Sequence, residues 1–131
     1  MIEVAMMFDQ EGKALFWLGP NGCHAGAVED SHVLWQRIWD AREVIGGVAH
    51  THPWGGYPHP SDTDVTTWRA LELALGKRLV WPIITMDQMT CYKWFPAENS
   101  DCYYRAVAWA HRYTDHWLNN VLEMRRLSRG G

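Results

Sequence analysis

The sequence predicts an α/β fold: a mixed sheet flanked by helices, with a long helix at its C-terminal end. Three observations predict it. Short apolar runs of strand length recur between turn residues. Two stretches with apolar residues three and four apart separate them, as amphipathic helices do. A further helical pattern then covers residues 101–127. At 131 residues the chain is read as one domain, long enough to bury a core.

Taken in order, residues 2–8 (Ile-Glu-Val-Ala-Met-Met-Phe) form a mostly apolar strand. Turn residues 9–12 follow, and residues 13–18 read as the hairpin partner. Gly19, Pro20, Asn21 and Gly22 break that strand, and residues 23–30 show no period. Ser31 is placed to cap a helix over residues 31–45, with Leu34, Ile38, Ala41 and Ile45 on one stripe and Trp35 and Trp39 beside it. Gly46 and Gly47 read as its stop. A strand through Val48, Ala49, His50 and His52 comes next. The second helix covers residues 61–75, buries Val65, Trp68, Leu71 and Leu75, and stops at Gly76. Residues 79–85 are an apolar strand; Pro82 cannot donate to a ladder, so this strand is expected at an edge or bulged. Residues 91–95 make the last strand. In the C-terminal helix Tyr104, Val107, Ala108, His111, Trp117, Val121 and Met124 are the less polar positions, and Arg125 and Arg126 suit its end. That helix would dock on the sheet or serve a partner.

Composition narrows the function classes. Twelve Lys and Arg against fifteen Asp and Glu leave a net charge of −3, so no nucleic-acid footprint is visible. No apolar run reaches the length of a membrane span. The N-terminus lacks a basic stretch followed by an apolar one, so no signal peptide is read. Three cysteines, Cys23, Cys91 and Cys102, are odd in number and lack Cys-x-x-Cys spacing, which favours free thiols and a cytoplasmic setting. The nine tryptophans are spread along the chain and are read mostly as core.

The chemistry gathers in residues 46–64. His50 and His52 alternate on a strand, so their imidazoles share one face. A turning loop with three prolines and two glycines spans residues 53–60. Ser61 then stands at a helix N-cap with Asp64 at the third helical position, which brings the Asp back over the histidines. Two imidazoles and one carboxylate supply N, N and O donors to a tetrahedral zinc, with the fourth position left for water.

This stretch resembles the JAMM (MPN-plus, or JAB) zinc metallopeptidases, in the prokaryotic deubiquitinase-like style. Their signature is a distant Glu, then His-x-His-Pro, a short loop, and Ser-x-x-Asp. Here the matching residues are His50-Thr51-His52-Pro53 and Ser61-Asp62-Thr63-Asp64. The loop between them is one residue longer than the usual pattern, which keeps Asp62 and His59 open as alternative third ligands. The resemblance covers about residues 1–95, leaving residues 101–127 as an extension, and the family's usual leading strand and helix are absent.

The resemblance implies an MPN-like fold, a zinc cofactor and hydrolysis of the amide bond after the C-terminus of a ubiquitin-like protein, either in deconjugation or in precursor processing. It implies that Glu3 is the general base, with Val4 and Met6 facing the other side of its strand, and that Ser61 donates to the tetrahedral oxyanion. Glu29 is the alternative base. Glu43 and Glu72 are read as solvated helix residues, and Thr51 as structural. Trp54 and Tyr57 would either contact an extended peptide or pack over the loop's own prolines. The absence of His-Glu-x-x-His excludes the common zincin, and that of Pro-Cys-x-x-Cys excludes the zinc deaminases. A different class of reading is an MPN-like interaction module without catalysis. Residues 128–131, including Gly130 and Gly131, are expected to be mobile and dispensable.

Overall fold

The computed structural model describes residues 2–18, 32–52, 54–96 and 103–130. Six strands, β1 (Ala5–Asp9), β2 (Ala14–Leu18), β3 (Ile45–Thr51), β4 (Trp81–Ile84), β5 (Met89–Trp94) and β6 (Tyr104–Val107), form one mixed sheet in the order β2-β1-β3-β4-β5-β6. Three helices accompany it: α1 (His32–Asp40), α2 (Asp62–Leu75) and α3 (Asp115–Ser128). Every neighbouring pair is antiparallel except β3 and β4. A parallel pair needs a long crossover, and α2 supplies it.

The alternation of β1 explains the two cores. Ala5 and Met7 pack with Val48, Leu34 and Ile38 of α1, and Trp68 and Leu71 of α2. Val4, Met6 and Phe8 pack on the opposite face with Ala49 and with Trp117, Val121 and Met124 of α3. The C-terminal helix therefore docks on the sheet. Arg125 of α3 braces the β4–β5 turn as well, donating from Nε to the Thr85 carbonyl (2.8 Å) and from Nη2 to the Gln88 carbonyl (3.1 Å).

Several expectations are corrected. The first helix ends at Asp40, residues 41–44 are turns, and Ile45 opens β3 fully buried. Gly46 and Gly47 are strand residues instead of a stop. A Cβ on Gly47 would lie 1.9 Å from the Val80 carbonyl oxygen, and one on Gly46 2.3 Å from that of Asp9. They are glycines because neighbouring backbones pass too close for a side chain. β4 is an interior strand despite Pro82. Its parallel pairing to β3 is made at Val80 and again from Ile83, so the missing N–H falls between.

The first described part of the predicted C-terminal helix is instead β6, followed by turns to Thr114, which stands at the N-cap position of α3 without a side-chain capping bond. Tyr104 is buried among Trp68 and its neighbours while Arg105 and Ala106 are exposed, as suits an edge strand with one anchoring ring. Ser128 is fully buried, not a mobile tail residue. Its carbonyl accepts from the Ile2 N–H (2.9 Å) and its hydroxyl donates to the Ile2 carbonyl (2.5 Å). Of the tryptophans, Trp68, Trp81 and Trp117 are core, whereas Trp39 and Trp54 are exposed. No helix among the described residues is long and apolar enough to cross a membrane.

Candidate metal centre

β3 delivers the two histidines. Strand alternation puts His50 and His52 on the face covered by α1 and α2, and both are buried. His52 lies just past the strand but is fixed through its backbone: its N–H donates to the Ile84 carbonyl (2.9 Å) and its carbonyl accepts from the Trp54 N–H (2.8 Å). Thr51, between them, faces α3's side, where its hydroxyl accepts from the Val4 N–H (2.9 Å). The indole of Trp68 stands edge-on to the His50 ring at 6.5 Å, and the Trp54 indole stacks on His52 at 4.7 Å.

α2 delivers the carboxylate through its first turn. Ser61 is the N-cap; its Oγ accepts from the Asp64 N–H (3.0 Å), while Asp64 Oδ2 accepts from the Ser61 N–H (2.9 Å). This reciprocal capping box satisfies two helix donors and holds Asp64 in one rotamer. Burial opposes ionisation of Asp64, but hydrogen bonds from His50 and His52, the nearby His50 ring and the Ser61 N–H outweigh it. Its carboxyl is held well below the usual carboxylate range.

The three side chains converge. His50 Nε2 and His52 Nε2 are 3.1 Å apart, His50 Nε2 is 3.2 Å from Asp64 Oδ1, and His52 Nε2 is 3.2 Å from Asp64 Oδ2. Donors about 2.0–2.2 Å from a tetrahedral zinc would be spaced roughly 3.3–3.6 Å apart, close to this arrangement. Two imidazole nitrogens this near each other and a carboxylate cannot all be served by one N–H direction each, whereas one cation would satisfy all three. The set fits a metal: buried N, N and O donors, with the Asp ionised. Among the described residues it is the grouping that could hold one. His59 and Asp62, the open alternatives, are exposed and outside it.

Glu3 is positioned by the same sheet. β1 pairs Ala5 with His50, and Val4 exchanges bonds with Thr51 one residue earlier. Glu3 is the next residue back along the chain and alternates with Val4, whose side chain packs on the α3 face. It is only 8% exposed. Glu29 lies outside the described residues. Glu43 is exposed, in a turn.

Glu72 overturns its reading as a solvated residue. It is buried and takes four donors: the Leu79 N–H and Trp81 Nε1–H at Oε2 (both 2.9 Å), and Arg78 (2.9 Å) and the Tyr104 hydroxyl (2.5 Å) at Oε1. It ties α2 to β4 and β6, two helical turns beyond Asp64. Its i−4 neighbour Trp68, on the predicted buried stripe, was the available signal.

The loop of residues 54–60 is bound to the β4–β5 turn. The Met86 N–H donates to the Trp54 carbonyl (3.0 Å), the Gly56 N–H to Asp87 Oδ1 (2.9 Å) and the Thr85 hydroxyl to the Gly56 carbonyl (2.8 Å). Farther along, the Tyr92 hydroxyl donates to the Pro58 carbonyl (2.7 Å). Trp54 and Tyr57 are both more than half exposed; Tyr57 packs edge-on to His59. Comparison with protein-family models and with curated proteins finds no match for the chain.

Proposed function

We propose that this protein is a zinc-dependent peptidase or isopeptidase of the JAMM type, with an MPN-like fold, working in the cytoplasm. Its substrate is the amide bond after the C-terminus of a ubiquitin-like protein, in a conjugate or a precursor. The observation that carries this reading is the convergence of His50, His52 and Asp64, all buried, within 3.1–3.2 Å of one another. His50, His52 and Asp64, which carry the resemblance together with Ser61, are the residues that converge, and Ser61 caps the turn that holds Asp64.

His50, His52 and Asp64 would hold the metal. When bound, zinc supplies a Lewis acid that polarises a carbonyl and brings the pKa of water toward neutrality. Glu3 takes the proton of the attacking water and returns it to the leaving amine, a role that contributes about 10²–10⁴-fold. The Ser61 hydroxyl accepts from the Asp64 N–H, which leaves its own proton for the oxyanion of the tetrahedral intermediate. Ser61 is exposed at the helix start, where a substrate can reach it.

The test has two readouts. Zinc content of the purified protein should be one per chain, and a ubiquitin-like protein fused through its C-terminal Gly-Gly to a reporter should be cleaved after the second Gly. Protein without zinc affinity would refute the metal centre. One bound zinc with no cleavage of any such fusion would favour the interaction module.

A further inference from the structure

The two exposed tryptophans differ in what covers them. Trp39 is 48% exposed, and the Arg42 guanidinium lies over its ring at 4.4 Å. The partly buried Trp94 is likewise covered by Arg78 at 3.8 Å. Trp54 is 53% exposed, one face resting on the His52 ring at 4.7 Å with 30° between planes, and no cation among the described residues lies over the other. Tryptophan is the strongest of the aromatic faces for a cation.

The place of that open face matters. It belongs to the ring that stacks on His52, one of the three converging donors. Nor is it a loose side chain on a loose loop. Both the N–H and the carbonyl of Trp54 are hydrogen bonded, and Gly56 is fastened by Asp87 and Thr85. A surface already rigid costs little further ordering on binding.

We propose that the outer face of Trp54 is a substrate subsite for a lysine or arginine side chain on a residue adjoining the scissile bond. The unbranched stem lies along the indole and the charge over its π face. A β-branched side chain cannot lie flat there, and a neutral chain of equal length gains only the stem contact. The proposal rests on the metal-peptidase reading for the identity of that bond, but its binding test stands apart from turnover.

Zinc-loaded protein carrying Glu3→Gln, to slow cleavage, is titrated with acetyl-Gly-Gly-Lys-amide and with the norleucine and valine counterparts. Binding is read by isothermal titration calorimetry, which serves the parent and both variants, and also by the Trp54 indole N–H resonance where that residue is present. Lysine should bind about two- to fivefold more tightly than norleucine, the increment of an exposed cation–π contact, and valine weakest. Adding Trp54→Ala should abolish the lysine preference with zinc content unchanged, and Trp54→Phe should keep part of it. Equal binding of lysine and norleucine, an unchanged preference in Trp54→Ala, or no binding by any of the three would overturn the proposal. So would loss of zinc from Trp54→Ala and Trp54→Phe alike, which would make the ring a support for His52. Failure of the peptidase reading would show separately, as a parent protein that binds no zinc or cleaves no fusion.

Discussion

Glu3 and Cys91 show how differently a buried group can be placed for chemistry. Glu3 is buried just before β1, with Val4 and Met6 in the core beneath α3. If it moves the proton, Glu3→Gln should lower kcat by about 10²–10⁴-fold while zinc content stays at one, because the side chain is no ligand. Glu29→Gln should stay within a few-fold of the parent. The reverse pattern of rates would transfer the role to Glu29. Cys91 is fully buried, and desolvation pushes its thiol up to about 12 against the opposing charge of Arg112. The thiolate is the reactive form, so Cys91 should resist N-ethylmaleimide in the native protein at pH 7.5 and react only on unfolding. Peptide mapping after labelling reads this directly, and prompt native labelling would mean that the strand opens. At this scale His50, His52, Ser61 and Asp64 were legible because alternation and capping act within a dozen residues. Glu72 was not, since donors from Arg78, Leu79, Trp81 and Tyr104 reach it only after α2, β4 and β6 have assembled.

Among the elements, those with strong local patterns are where the sequence puts them. The α2 helix has a capping box at Ser61 and a left-handed Gly76 at its end, with φ of 69°. Both signals are local, and both hold. Gly46 and Gly47 misled because a helix stop and a tight strand crossing call for the same residue, and only Val80 and Asp9, distant in sequence, decide between them. β6 was hidden because a four-residue edge strand with one buried ring shows no alternation to read. The end of α3 has a task of its own: Ser128 holds Ile2, the residue before Glu3, by two hydrogen bonds. Removing residues 128–131 should therefore lower the unfolding free energy by about 1–3 kcal/mol, given net bonds of about 0.5–1.5 kcal/mol each. Ser128→Ala, which keeps the backbone bond, should cost about 0.5–1.5 kcal/mol. Urea denaturation measures both. Equal stability of the truncated and full chains would show that Ile2 is not held from this side.

In the molecule as a whole, one sheet separates two packed layers, and the parallel step from β3 to β4 through α2 is what folds Asp64 back over His50 and His52. The α/β class and the strand–helix order as far as β5 were readable because each run has its own period. The sheet order was not, because pairing partners such as β1 and β3 lie some forty residues apart and are chosen by tertiary burial. The three donors thus come from two elements that part company when the chain unfolds: a strand and the helix that follows it. An ion held by all three would act as a removable cross-link, bound by the folded chain and released by the unfolded one. Its contribution follows mass action: free zinc at a hundred times the dissociation constant adds about 2.7 kcal/mol, roughly ten degrees in Tm for a domain of this size. Chelation should lower Tm by that order, zinc should restore it, and His50→Ala should melt at one temperature with or without the ion. Heat, without any substrate, would then report how full the site is.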